Sequence, residues 1–360
     1  MCKMQLSNFH KSQIAKIDNE EKLDQHKHRF GALSDLISDP TVEEIWINNP
    51  ARIFFARDGK TELAKIVMTS VDVRNLVERL LNWSGRRLDT SSPLVDARLP
   101  DGSRLHAAIP EITSKHWSVN IRKHLINNSQ LSDLVAKETI NEQLATLIQD
   151  SILAQANVLV SGATQAGKTT FLNALINEIP ARERLITIEE VFELNPNLAD
   201  HVALQTRPAN LEGNGEISMR RLVKESLRMR PNRLVIGEVR EAEALDLLIA
   251  LNSGLPGMGT IHANSAKSAI AKLQTLPLLA GENIAHTFIN RTIATTINLV
   301  IHLVQLPSGA RKLKEIFFIT GRIESDQIEM AKLVQFNSIN NSWNVDDANW
   351  KLFLSKIQAG

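Results

Sequence analysis

Residues 158–169 constrain this chain more than any other stretch. An apolar run, Val158-Leu-Val-Ser161, leads straight into Gly162-Ala-Thr-Gln-Ala-Gly-Lys-Thr169. The residues from Lys168 onward, KTTFLNALINEI, then carry apolar side chains at helical spacing. A strand, a loop with a glycine near each end and a helix that opens on Lys-Thr are the context in which such a loop cradles phosphate. Glycine lets the backbone N–H groups turn toward an anion without a Cβ in the way. The helix N-terminus adds a positive dipole, and the lysine adds a point charge. Gly162, Ala163, Thr164, Gln165, Ala166, Gly167, Lys168, Thr169 and Thr170 are therefore predicted to hold the phosphates of a nucleotide, with the Thr169 hydroxyl on Mg²⁺. The loop is silent on the task the nucleotide serves.

The 360 residues exceed what one hydrophobic core usually serves, and the 43% apolar share is enough for two. Val42 to Phe55 reads as two short strands around an Asn-Asn-Pro turn. Val71, Val73, Leu76, Val77, Leu80 and Leu81 then recur at helical spacing, with Thr69 or Ser70 as the cap. Pro100-Asp-Gly102 turns between LVDARL and RLHAAI. These pieces make a small α+β domain over 31–126, preceded by a polar extension, 1–30.

An Asn/Ser-rich stretch, 127–137, has linker composition. Beyond it, over 138–330, strand-like runs (NVLVSG, RLITIEE, HVALQT, RLVIGEV, GTIHA) alternate with helix-like ones, which predicts an α/β domain with a parallel sheet and helices on both faces. The tail, 331–360, is read as a helical appendage.

Three further stretches carry chemistry. Arg233-Leu-Val-Ile-Gly-Glu238-Val-Arg240 ends a strand on a carboxylate, where an open α/β sheet places its ligands. Ile186-Thr-Ile-Glu189-Glu190 does the same with paired acids, which suits general-base work beside a metal-bound phosphate. Gly257-Met-Gly259-Thr-Ile-His262-Ala-Asn264 brings an imidazole to a strand end. Taken singly, each reads as readily as a solvated acid or a structural histidine; the phosphate loop is what raises them.

Charge and cysteine usage exclude several classes. With 41 basic and 40 acidic side chains the net charge is +1, so no overall field draws nucleic acid or an anionic membrane. One cysteine, Cys2, makes no internal disulfide, and no Cys/His cluster has zinc-like spacing, which fits a reducing cytoplasm. The N-terminus lacks the apolar core of a signal or anchor, and residues 293–306 are too short and too polar to span a bilayer. Any membrane contact is expected through partners.

Together, GATQAGKT, TIEEVFEL, VIGEVR and GTIHANSA stand in the order found in the type II/IV secretion ATPases. VEEIWIN, SSPLVDARLPDGSRLHAAIP, VNIRK, ALNSGLPGMGTIHANSA and TLPLLAGEN look most like the CpaF-like ATPases of Tad (Flp) pilus systems; conjugative type IV secretion is the alternative within the superfamily. The resemblance spans roughly Leu33 to Leu303. It implies a RecA-like C-terminal domain, a homo-hexamer, and nucleotide held between the two domains. The motor it describes is cytoplasmic, acts on inner-membrane platform proteins and is driven by hydrolysis of ATP with Mg²⁺. It makes Glu189 the general base, Glu238 the Walker B acid and His262 a γ-phosphate contact. Glu190 and Glu238 join Thr169 around the metal, and Arg104 and Arg122, with Arg98 a weaker candidate, meet the phosphates through the guanidinium fork. Arg240 pairs with the acidic box or a neighbouring subunit. The box departs from many relatives in carrying Glu190 where they have Asp. A RecA-like nucleic-acid motor and an ATP-gated assembly protein are the rival readings. The charge balance weighs against the first and the intact acids against the second.

Overall fold

The computed structural model describes residues 29–57, 59–124, 129–207, 209 and 214–359. Cys2 and nearly all of the polar extension fall outside them. The chain divides into two compact units, Met1–Leu125 and Ile126–Gly360.

The first unit is a six-stranded antiparallel sheet with one long helix. Its strands are β1 (Val42–Asn49), β2 (Arg52–Arg57), β3 (Lys60–Leu63), β4 (Leu94–Arg98), β5 (Arg104–Ala108) and β6 (Ser118–Arg122), in the order β3-β2-β1-β6-β5-β4. Alternate residues Ile45, Ile47, Ile53, Val95, Leu105, Val119 and Ile121 form a core with Val73, Leu76, Val77 and Leu80 of the helix Ser70–Ser84. That helix begins where its spacing predicts. Thr69 Oγ1 accepts from Asp72 N at 3.1 Å while the Asp72 carboxylate accepts from Thr69 N at 2.8 Å, so two otherwise orphaned N–H groups are satisfied. Phe30 is fully buried in this core and stands edge-on to Trp83, so the core includes a residue of the stretch read as an extension.

The second unit holds β7 (Val158–Gly162), β8 (Leu185–Glu189), β9 (His201–Gln205), β10 (Arg233–Val239), β11 (Gly257–His262), β12 (Leu299–Gln305), β13 (Arg311–Glu324), β14 (Gln327–Asn337) and β15 (Ser342–Val345). They form one sheet in the order β15-β14-β13-β12-β7-β11-β10-β8-β9. The strands from β9 to β12 pair in parallel, and β13 to β15 extend the sheet antiparallel. Helices cover both faces over separate cores: Glu142–Leu153 and Lys168–Ile176 on one, Glu243–Asn252, Ala266–Thr275 and His286–Thr296 on the other. This is the mixed α/β arrangement that the alternation predicts.

Two expectations fail here. Residues 131–136 of the supposed linker are the helix Leu131–Ala136, whose Leu131 and Leu134 are buried in the core. Polar composition concealed two apolar residues three apart and the Asp133 carboxylate that accepts from Gln130 N at 2.8 Å. Nor is 331–360 a helical appendage. It completes β14, adds β15, and ends in the helix Asp347–Ala359, which buries Trp350 and Phe353 against Phe318. The Asn340-Asn341 pair, with Asn341 at φ +50°, was the available signal for that hairpin. No helix among the described residues is long and apolar enough to cross a membrane.

Candidate functional site

The parallel strands β7, β11, β10 and β8 are neighbours, so their C-terminal ends bring Gly162, His262, Glu238 and Glu189 to one edge of the sheet. Register makes the first two level: His262 of β11 pairs with Gly162 of β7. An open parallel sheet offers ligands this edge.

The loop has little freedom at its glycines. A Cβ on Gly162 would stand 2.9 Å from both Ala166 Cβ and the Leu303 carbonyl oxygen, so no side chain fits. Gly167 has φ +89° and caps the helix that begins at Lys168, while Gln165, also left-handed at φ +64°, shapes the crown. Ala163, Thr164 and Gln165 are exposed, Ala166 is buried, and Thr169 and Thr170 are half-buried in the first helical turn.

Lys168 is only 8% exposed. Its Nζ donates to the Ala163 carbonyl at 3.0 Å and lies 3.2 Å from His262 Nδ1. His262 Nε2 is 2.7 Å from Glu238 Oε1, and the other oxygen of Glu238 meets Arg240. Arg240 also reaches Glu190 at 2.5 Å. A single chain of contacts thus joins the phosphate loop, the imidazole and both acid-bearing strands. Burial, and next the Lys168 ammonium, hold His262 below its ordinary value of 6.5 against the pull of Glu238. Neutral imidazole can accept from Lys168 through Nδ1, which leaves its proton on Nε2, the nitrogen that stands against Glu238.

Glu189 is 2% exposed and packs along Gly237, where a Cβ would stand 3.0 Å from its Cγ. Its Oε1 accepts from Glu193 N at 2.8 Å and Leu194 N at 3.0 Å, so the carboxylate is held in one orientation. Glu190 is exposed and turned to Arg240, which competes with the metal-ligand role expected of it. Thr169 and Glu238 are oxygen donors of the kind Mg²⁺ takes beside nucleotide phosphates. Among the described residues no group of three or more His, Cys, Asp or Glu side chains could hold a metal ion by itself.

The arginines of the first unit form a row. Arg98 pairs across β4 and β5 with Arg104, and Arg104 across β5 and β6 with Arg122, which faces Glu44 on β1. Directly opposed residues of antiparallel strands share a face, so the three arginines lie side by side on one face of this sheet. Asp96 bonds His106 Nδ1 at 2.8 Å.

Two residues escaped the sequence reading. Arg311, at the start of β13, donates from Nε to the Gln165 carbonyl at 3.0 Å. His302, 3% exposed on β12, lies 3.0 Å from the hydroxyl of Ser161, just before the loop. Neither has a local signal, since each meets the loop across more than a hundred residues of chain.

Residues 26–344 match the family described as type II/IV secretion system protein. The chain is 33% identical over 306 residues to a putative conjugal transfer protein of Mycobacterium tuberculosis (strain ATCC 25618 / H37Rv), covering 82% of this chain and 86% of that one. It is 32% identical to a probable conjugal transfer protein TrbB of Sinorhizobium fredii, over 81% of this chain and 89% of that one. Among solved structures, the ATPase DotB of Yersinia pseudotuberculosis shares the fold with a TM-score of 0.57 at 19% identity, covering 78% of this chain and 76% of that one. The chain belongs to the type II/IV secretion system protein family and is an ATP-hydrolysing enzyme of it.

Proposed function

We propose that this chain is the ATPase motor of a conjugative type IV secretion system, working as a homo-hexamer on membrane-embedded partners at the cytoplasmic face of the inner membrane. The chemistry rests on one observation: the contact chain Lys168–His262–Glu238–Arg240 at the sheet edge that ends in the phosphate loop. The client rests on the relatives, which are named for conjugal transfer and match over four-fifths of the chain. They favour that reading over the Tad pilus branch to which the motifs first point. Near-neutral charge leaves little to support a motor that grips nucleic acid itself.

In this reading the loop amides and Lys168 hold the β- and γ-phosphates, and Thr169 and Glu238 would hold a Mg²⁺ ion, which would supply neutralising charge there. Glu189, fixed by two backbone N–H groups, takes the proton of the attacking water. His262, in contact with both Lys168 and Glu238, reports the γ-phosphate to that carboxylate. Phosphoryl transfer depends mainly on position and charge, so Lys168→Ala is expected to abolish phosphate release. Glu189→Gln should keep ATP binding and lose turnover. Wild-type phosphate release from Lys168→Ala would sink the assignment. For the client, the Lys168→Ala allele should fail to restore plasmid transfer in a strain lacking the gene. Loss of pili with transfer intact would return the Tad reading.

A further inference from the structure

We propose that Arg311 is a positioning residue of the phosphate loop, a brace that sets the loop's shape before nucleotide arrives. The inference rests on the ATPase reading and concerns a side chain that no loop motif contains.

Two left-handed residues shape the crown of the loop, Gln165 at φ +64° and Gly167 at φ +89°. Glycine adopts that region freely, but for glutamine it costs about 1–2 kcal/mol, so the crown needs an outside partner to stay in place. Arg311 meets both positions at once. Its Nε donates to the Gln165 carbonyl at 3.0 Å, which keeps that oxygen turned toward Arg311. Its Cδ stands 3.0 Å from where a Cβ on Gly167 would be, so the methylene stem fills the space that the glycine leaves.

The brace stands on firm ground. The next residue, Lys312, is 4% exposed and donates to the Glu138 carbonyl at 2.7 Å. Leu313 N donates to the Thr139 carbonyl at 2.9 Å, and its own carbonyl accepts from Trp343 Nε1 at 2.7 Å. A side chain launched from a strand anchored at successive residues transmits position, whereas one on a free loop would follow its target.

The consequence concerns binding more than turnover. A pre-shaped loop spares the nucleotide the cost of ordering it, while bound phosphates can hold the loop themselves. Replacing Arg311 with Met keeps most of the stem and removes the donor. The KM for ATP and the Kd for ADP should each rise about tenfold, which corresponds to about 1.4 kcal/mol, with kcat changed less than about threefold. Arg311→Lys keeps stem and charge and should recover most of the affinity.

The test measures phosphate release against ATP concentration, ADP binding by calorimetry and the unfolding midpoint, for the wild-type, Met and Lys proteins. Raised KM and Kd with near-constant kcat, partly rescued by Lys, is the expected result. A merely structural Arg311 would lower the midpoint and leave KM and Kd alone, and that overturns the proposal. So does a collapse of kcat at unchanged KM, which would make Arg311 a catalytic group. Wild-type protein that binds no ADP and releases no phosphate would refute the ATPase reading and the brace with it.

Discussion

Removing Trp350 tests whether the C-terminal residues belong to the core of the second unit. The indole is 2% exposed and stands edge-on to Phe353 at 5.8 Å, and Phe353 in turn lies 5.4 Å from Phe318 of β13. Burying a tryptophan hides about 150–250 Å². At about 25 cal/mol per Å² this is about 4–6 kcal/mol, an upper bound because the unfolded chain already hides some of that surface. Large aromatic-to-Ala changes in cores cost about 3–5 kcal/mol, so about 4 kcal/mol is a fair expectation for Trp350→Ala. In a unit of this size each kcal/mol lowers the midpoint by about 2–4 °C, which gives a drop of about 8–16 °C on its transition. Scanning calorimetry reads it directly. The indole N–H finds no acceptor among the described residues, so Trp350→Phe relieves an orphaned donor while it loses ring atoms, and should cost under about 2 kcal/mol. Leu352, 49% exposed on the same helix, is the control and should cost about 0.5 kcal/mol when cut to Ala. A midpoint for Trp350→Ala within about 2 °C of wild type would refute this account and restore the tail as an appendage.

Two other predictions concern buried charge. Arg233 is fully buried, with Nε 2.5 Å from Glu183 and an η nitrogen donating to the Ile152 carbonyl at 2.9 Å; Glu183→Ala strands that cation and should cost about 3–5 kcal/mol by denaturant melts. Adding Arg233→Met should return part of the loss, and a double variant weaker than the single would contradict the reasoning. Burial, the leading cause in each, holds His201, His262 and His302 below their ordinary 6.5. The unfolded chain therefore takes up protons first on acidification, so the stability these residues contribute is fully present above pH 6.5 and lost as pH falls toward their folded values. The unfolding midpoint should drop between pH 7 and pH 5.5, less steeply in His302→Gln, and an unchanged slope in that variant would exclude His302 as a contributor.

Much of this protein was legible in its residues because the governing interactions are local. The strand, loop and helix around Gly162 to Thr169 follow from adjacent residues, as does the helix capped by Thr69. The acid-bearing strand ends follow from short apolar runs that finish on Glu189 and Glu238. Reading failed where composition hid burial, as at Leu131 and Leu134, or where a chain end was assumed to be peripheral, as at Trp350.

What the sequence alone determined was which residues stand at strand ends and that a glycine-bearing loop joins a strand to a helix opening on Lys168, since both follow from φ preference and the spacing of apolar side chains. Tertiary structure alone decided the rest. It lined up Arg98, Arg104 and Arg122 through strand register, joined Lys168 to Glu238 through His262, and brought Arg311 to Gln165 across 146 residues. Those meetings depend on strand order and pairing, which are set by how two cores close over one sheet and leave no trace in the residues beside them.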